Sequence, residues 1–147
     1  LVHDQLYRGD TMGAVNVSAY LDQLCRHLSD AIGRTDVPMR VHGRGTCDID
    51  TAVPLGLFVN EALTNALKHA YPPPASGPID VHVQHEGGKL VVSVEDRGTD
   101  LPSDIDSRRK HSLGMNLMDA LAAQIRGEVS IERSGQGKRI VLTVEQE

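Results

Sequence analysis

Glu61, Thr64, Asn65 and Lys68 recur at helical spacing in the run Asn60-Glu61-Ala62-Leu63-Thr64-Asn65-Ala66-Leu67-Lys68-His69-Ala70. At about 100° per residue they share a narrow arc, while Val59, Ala62, Leu63, Ala66 and Ala70 take the opposite side. The polar arc holds a candidate base, a neutral oxygen ligand for a hard cation and a positive charge. Those groups suit the handling of a metal-bound polyphosphate. Asn65 would complete an octahedral Mg2+ whose other ligands are phosphate oxygens and water. Glu61 would orient or deprotonate an attacking group. Taken singly, each reads as a solvated helix residue; their sharing one arc favours the chemical reading. Lys68 and His69 would meet phosphate charge or favour the helix C-terminus through the macrodipole, and the two roles are compatible.

A second group lies in Val94-Glu95-Asp96-Arg97-Gly98-Thr99-Asp100-Leu101-Pro102. Asp96 ends an apolar strand, which places its carboxylate at the core edge. An ionised Asp only accepts hydrogen bonds, so it would suit the exocyclic amine of adenine and reject the oxygen guanine presents there. A strand-end Asp that simply starts a turn explains the segment equally well. Gly98 fits a tight turn or a close backbone approach to a ligand. In Ser112-Leu113-Gly114-Met115, a Ser and a Gly at a helix start expose backbone N–H groups that would hold an anion, or the Ser is a plain N-cap. Arg108 to His111, just before it, would close over a terminal phosphate or form a solvated face.

The elements that must carry these residues follow from periodicity. Apolar residues at 17, 21, 24, 25, 28 and 32 predict an amphipathic helix over Val17–Ile32, stopped by Gly33. A short strand is expected over Met39–Val41. Residues 8–16 and 43–50 read as loop and turn, with Asp50 or Thr51 capping the next helix. Pro54 would then fall in its first turn, where no intrahelical donor is needed. That helix runs to about Ala70 and stops at Pro72-Pro73-Pro74. Alternation over 79–84 and 89–96 around Glu86-Gly87-Gly88 predicts a hairpin. A polar loop over 97–112 precedes a third helix, Leu113–Ile125, stopped by Gly127; loops of such length are often functional. Strands over 129–133 and 139–145 form a last hairpin. The sum is an α+β fold, a two-layer sandwich with helices on one face of a mixed sheet.

At 147 residues the chain is long enough for one domain with a substantial core. A net charge of -5 and 3% aromatics argue against a nucleic-acid partner and against a base-stacking platform. No apolar run approaches the roughly 18 residues of a bilayer span, and a cytoplasmic setting without membrane contact is expected. Cys25 and Cys47 lack metal-ligand spacing, and Cys25 reads as a buried free thiol. The opening Leu-Val-His, without Met, is expected of a piece cut from a longer protein.

Together these segments resemble the Bergerat (GHKL) ATP-binding fold of sensor histidine kinases, type II topoisomerases, heat-shock chaperones and mismatch-repair ATPases. The order matches: an Asn-bearing helix, an Asp-x-Gly strand end, a lid and a Gly-containing helix start. The HWE-type histidine kinases are the more similar subfamily. His3 to Tyr7 resembles that subfamily's link from the dimerisation helix, and Val17 to Leu24 its next helix. Asn60 to Ala70 is similar to its Asn box, and Ser112 to Leu117 with Gln124 to Gly127 to the segment after its lid.

The resemblance implies that residues 1–14 are the end of the dimerisation helix and a linker, and 15–147 the catalytic ATP-binding domain. It implies ATP and Mg2+ as ligands, with Asn65 on the metal and Glu61 activating or positioning the phosphoryl acceptor. Lys68 and His69 would lie near the phosphates and Asp96 would read adenine. Asn60, Gly98, Leu101, Ser112, Leu113 and Gly114 would border the pocket. The reaction would be transfer of the γ-phosphate to a histidine and then to an aspartate of a response regulator, in a bacterial two-component system. The phosphoacceptor histidine lies on an earlier helix of the full-length homodimer, so the isolated chain is expected to bind nucleotide without phosphorylating itself. Two positions depart from the family. Asp100 stands where a second Gly is usual, and Gly137-Lys138 where Gly-Thr or Gly-Ser is frequent. Two alternatives stand beside this reading: an anti-sigma-factor-type serine kinase of the same fold, and a degenerate nucleotide-binding or docking module.

Overall fold

A computed structural model describes residues 14–98, 113–135 and 137–146. The chain opens with strand β1 (Ala14–Asn16) and helix α1 (Val17–Ile32). Strands β2 (Met39–Gly43) and β3 (Thr46–Asp48) follow, then the long helix α2 (Ile49–His69). The second half runs β4 (Ile79–Glu86), β5 (Lys89–Asp96), helix α3 (Leu113–Gln124), β6 (Gly127–Ser134) and β7 (Gly137–Glu145). Five strands form one sheet in the order β2-β4-β5-β7-β6, with β1 and β3 as a separate ribbon. The β2–β4 pair is parallel and the other pairs are antiparallel, so the sheet is mixed, as expected.

Alternation along the central strands decides which face the helices cover. Ile79, Val81 and Val83 of β4, Leu90, Val92 and Val94 of β5, and Ile140, Leu142 and Val144 of β7 are all buried. They form one core with Leu21 and Cys25 of α1, Leu55, Phe58, Val59, Ala62, Leu63 and Ala66 of α2, and Met118 and Leu121 of α3. The alternate residues make a polar surface. On it His42 meets Asp80 at 2.7 Å and His82 meets Glu95 at 3.6 Å. This is the two-layer arrangement that the sequence predicts. Among the described residues no helix is long and apolar enough to cross a membrane.

Several boundaries differ from expectation, each for a local reason. Residues 14–16 and 46–48, read as loop and turn, pair as the β1–β3 ribbon, with Val15 opposite Cys47. Three-residue strands are too short to show alternation. Because β3 runs straight into α2, the cap is Asp48 rather than Asp50 or Thr51: Thr51 N–H donates to Asp48 Oδ1 at 2.8 Å. Pro54 therefore sits in the second turn of α2. The carbonyl it cannot bond, that of Asp50, belongs to an exposed residue where water can take it. α3 ends one residue early, and the left-handed residue there is Arg126 (φ 54°), because Gly127 already begins β6. β2, β4, β6 and β7 extend past their predicted ends where a neighbouring strand supplies partners. Gly33 does stop α1 as predicted, at φ 73°, its N–H donating to the Ser29 carbonyl. Cys25 and Cys47 are both buried free thiols.

Candidate functional site

Helix α2 carries the predicted polar arc, and the structure sorts its members. Asn65 is buried, 9% exposed, an unusual position for a carboxamide on the polar side of a helix. Glu61, one turn earlier, is half-buried, as is Asn60. The Thr64 hydroxyl donates to the Asn60 carbonyl at 2.8 Å, which spends it inside the helix. Lys68 and His69 are exposed at the last turn, where their charge also suits the helix dipole.

Asn65 is buried because α3 lies over it. At Gly114, in the first turn of α3, an added Cβ would lie 3.2 Å from Glu61 Oε1, 3.3 Å from Asn65 Oδ1 and 3.4 Å from Asn65 Nδ2. Glycine thus keeps the space over the two side chains free of a methyl group. The Gly-containing helix start and the polar arc, read separately from the sequence, face each other across this gap. Its oxygen donors, one carboxylate and one carboxamide, fit Mg2+, which is usually held by one or two protein groups while phosphate and water supply the rest. No cluster of three or more His, Cys, Asp or Glu that could cage a metal occurs among the described residues.

Asp96, at the end of β5, is 2% exposed. Its Oδ1 accepts from Gly98 N–H at 3.1 Å and from Lys138 N–H at 3.4 Å. Its Oδ2 accepts from Lys138 Nζ at 2.8 Å. The turn that the sequence allows at Asp96 is therefore present, and its carboxylate lies at the core edge. The close approach that Gly98 permits is to the end of α2: a Cβ there would lie 2.5 Å from Ala70 Cβ and 2.7 Å from the Ala70 carbonyl oxygen.

Sequence reasoning missed Tyr71. It is 2% exposed, its hydroxyl donates to the Pro78 carbonyl at 2.7 Å and accepts from Arg97 N–H at 2.8 Å. One phenol thereby joins the end of α2, the start of β4 and the residue after Asp96. Arg34 supports the same corner by donating to the Tyr71 and Ala75 carbonyls, both at 2.9 Å. The signal was an aromatic residue between an Asn-bearing helix and a proline run, in a chain with few aromatics. Lys138, a departure from the family pattern in sequence, is a partner of Asp96 that the sequence alone does not reveal. Extending the β5–β7 register beyond Glu95–Arg139 places it opposite Asp96. Leu101, Ser112, Asp100 and residues 108–111 lie outside the described residues, as does the link at 1–13. Leu113 is described only as the first residue of α3.

Known proteins carry the same sequence pattern and the same fold. The family described as the histidine kinase-like ATPase domain matches residues 19–144. The blue-light-activated histidine kinase 2 of Erythrobacter litoralis is 32% identical over 126 residues, covering 84% of this chain and 36% of that protein. The sensor histidine kinase PdtaS of Mycobacterium tuberculosis is 28% identical over 150 residues, covering 98% of this chain and 30% of that protein. The chain thus spans about a third of the length of these curated relatives. Among solved structures, the histidine kinase domain of an Erythrobacter litoralis blue-light activated kinase superposes with a TM-score of 0.80 at 27% identity, covering 98% of this chain and 69% of that one. The ATP-binding domain of PrrB from Mycobacterium tuberculosis gives 0.74 at 23% identity, covering 91% and 96%, a likeness of fold alone. With residues 19–144 matched by its model, the chain belongs to the histidine kinase-like ATPase domain family.

Proposed function

We propose that this domain binds Mg-ATP between α2 and α3 and donates the γ-phosphoryl group to a histidine on a dimerisation domain outside this chain. The observation that supports this most directly is the buried Asn65 beside Glu61, with Gly114 keeping the space over both open. Asn65 would hold Mg2+, with Asn60, Lys68 and His69 on the phosphate side. The cation supplies charge neutralisation at the phosphates. Asp96 would read the base, and Leu101, Ser112, Leu113 and Gly114 would border the nucleotide. In the transfer, an imidazole nitrogen of the acceptor bonds to the γ-phosphorus as the bond to the β-phosphate bridging oxygen breaks. ADP leaves, and the imidazole proton passes to Glu61. Such transfer asks mainly for positioning and charge stabilisation, which one helix face can provide.

The wider reading extends the relatives' description as histidine kinases: the full protein would be a two-component kinase that acts as a homodimer and relays phosphate to an aspartate of a response regulator. A cytoplasmic setting, where ATP is available, would follow from that reading. Residues 1–14 would link the dimerisation helix to the domain at 15–147. Calorimetric titration with Mg-ATP tests the nucleotide site. Binding by the wild type that is lost in Asn65→Asp and weakened in Asp96→Asn is expected, and no binding at millimolar ATP would refute it. Transfer is tested by mixing the chain with a phosphoacceptor domain and labelled ATP. Label should appear on the acceptor domain, whereas label on the isolated chain would contradict a separate acceptor.

A further inference from the structure

Asp96 does not stand alone at the place assigned to the base. Lys138 Nζ lies 2.8 Å from Asp96 Oδ2, and the two side chains are 12% and 3% exposed. Register explains the meeting. Val94 pairs with Ile140 and Glu95 with Arg139, so Asp96 and Lys138 continue the row of β5 and β7 residues that faces the helices. Gly137 brings β7 close at this point, since a Cβ there would lie 2.0 Å from the Asp96 carbonyl oxygen. The core row Val92–Leu142, Val94–Ile140 thus ends in a carboxylate–ammonium pair rather than in another apolar pair.

The chemistry of that pair differs from that of a lone carboxylate. A carboxylate is acceptor-only, so by itself it takes the adenine amine and sets oxygen against the guanine O6. An ammonium carries three N–H bonds and no acceptor, and Asp96 uses one of them. The others can bridge from the carboxylate to an acceptor on the base edge: N1 of adenine, or O6 of guanine. The contact that would exclude guanine is thereby turned into a donor–acceptor contact. The long unbranched stem of Lys lets its head follow either position.

Building on the nucleotide site proposed above, we infer that Lys138 sets the base specificity of this domain, so that guanosine triphosphate is accepted alongside adenosine triphosphate. The residue touches the ligand at the base edge and takes no part in phosphoryl transfer. Sites that read a base edge with an unbridged buried group reject the wrong partner by orders of magnitude, about 10⁴-fold in favourable cases. Here the ratio of the two dissociation constants should stay within about tenfold, and Lys138→Thr or Lys138→Met should widen it at least about tenfold, chiefly by weakening the guanine nucleotide.

The test is calorimetric titration of the wild type and both variants with Mg-ATP and Mg-GTP, with circular dichroism melting to confirm folding. A wild-type ratio within about tenfold that widens in both variants supports the inference. A wild type that rejects GTP by more than about tenfold overturns it without any variant, which decides the matter even where the substitutions unfold the chain. A permissive wild type whose variants are equally permissive overturns the role of Lys138. A wild type that binds neither nucleotide refutes the nucleotide site itself, an outcome distinct from ATP binding with strong rejection of GTP.

Discussion

Gly114→Ala separates the proposed function from stability, and its effect can be worked from three distances. The new methyl carbon would sit 3.2 Å from Glu61 Oε1 and 3.3 and 3.4 Å from the two polar atoms of the Asn65 carboxamide. These contacts are a few tenths of an ångström short of comfortable. Glu61 is half-buried and can yield, whereas Asn65 is buried beneath α3 and cannot move far. The steric cost is therefore modest, about 1 kcal/mol for a small overpacking. Opposing it, Ala is better than Gly in a helix by up to about 1 kcal/mol, less in a first turn. The two nearly cancel, and the urea midpoint should stay close to that of the wild type. Binding has no such offset. The methyl occupies the approach to the carboxamide oxygen and to Glu61 and can coordinate nothing. Losing one such contact corresponds to at least about tenfold in Kd, or about 1.4 kcal/mol. The assay is Mg-ATP titration beside a urea melt. A well-folded Gly114→Ala protein with Kd within about twofold of the wild type would refute the placement of the ligand between α2 and α3.

Tyr71→Phe keeps the buried ring but removes the hydroxyl that serves Pro78 and Arg97, so a loss of about 2 kcal/mol in urea unfolding is expected, from two hydrogen bonds at about 1 kcal/mol each. A loss below about 0.5 kcal/mol would show that water replaces the hydroxyl. Asp48→Ala should cost about 1 kcal/mol by removing the α2 cap, read as a lowered urea midpoint with unchanged slope. Burial pushes both thiols from the ordinary 9.0 up to about 12, with Asp22 beside Cys25 and Asp48 beside Cys47 adding in the same direction. The unfolded chain therefore loses these protons first. Their contribution to stability is fully present below pH 9 and declines as pH rises from there towards 12, so a urea midpoint that failed to fall on that alkaline side would contradict it.

What the sequence disclosed depended on how far each signal extends along the chain. α2 and the β4–β5 hairpin span enough residues for their periods to emerge. The polar arc was legible for the same reason, since Glu61, Asn65 and Lys68 repeat at the helical period. The β1–β3 ribbon was not legible, because three residues show no period and its pairing joins positions thirty or more apart. Burial of Asn65 could not be read from α2 at all: it is produced by α3, whose contribution at the gap is the absence of a side chain at Gly114. The Asp96–Lys138 pair lay between these cases. Asp96 ends an apolar strand and Lys138 departs from the family pattern, yet bringing them together requires the register of β5 on β7, and register is a property of two strands.

The positions of Asn65 and Asp96 relative to each other follow from one short stretch, Ala70-Tyr71. Asn65 stands five residues before Ala70, about 7.5 Å of helix at 1.5 Å per residue. Ala70 is the surface against which Gly98 packs, and Tyr71 holds the N–H of Arg97, so the turn that begins at Asp96 is fixed to the end of the helix that carries Asn65. On the proposed reading, those two residues address opposite ends of a single nucleotide, and the distance between them must match the ligand. A sheet strand and a helix packed only through apolar contacts could slide by fractions of an ångström. The buried phenol hydroxyl and the glycine-on-alanine contact remove that freedom, because the first needs two partners at hydrogen-bond distance and the second leaves no space for a Cβ. On that reading the end of α2 would act as a spacer between the phosphate side and the base side of the site. A change there would weaken ATP binding without touching the ligand.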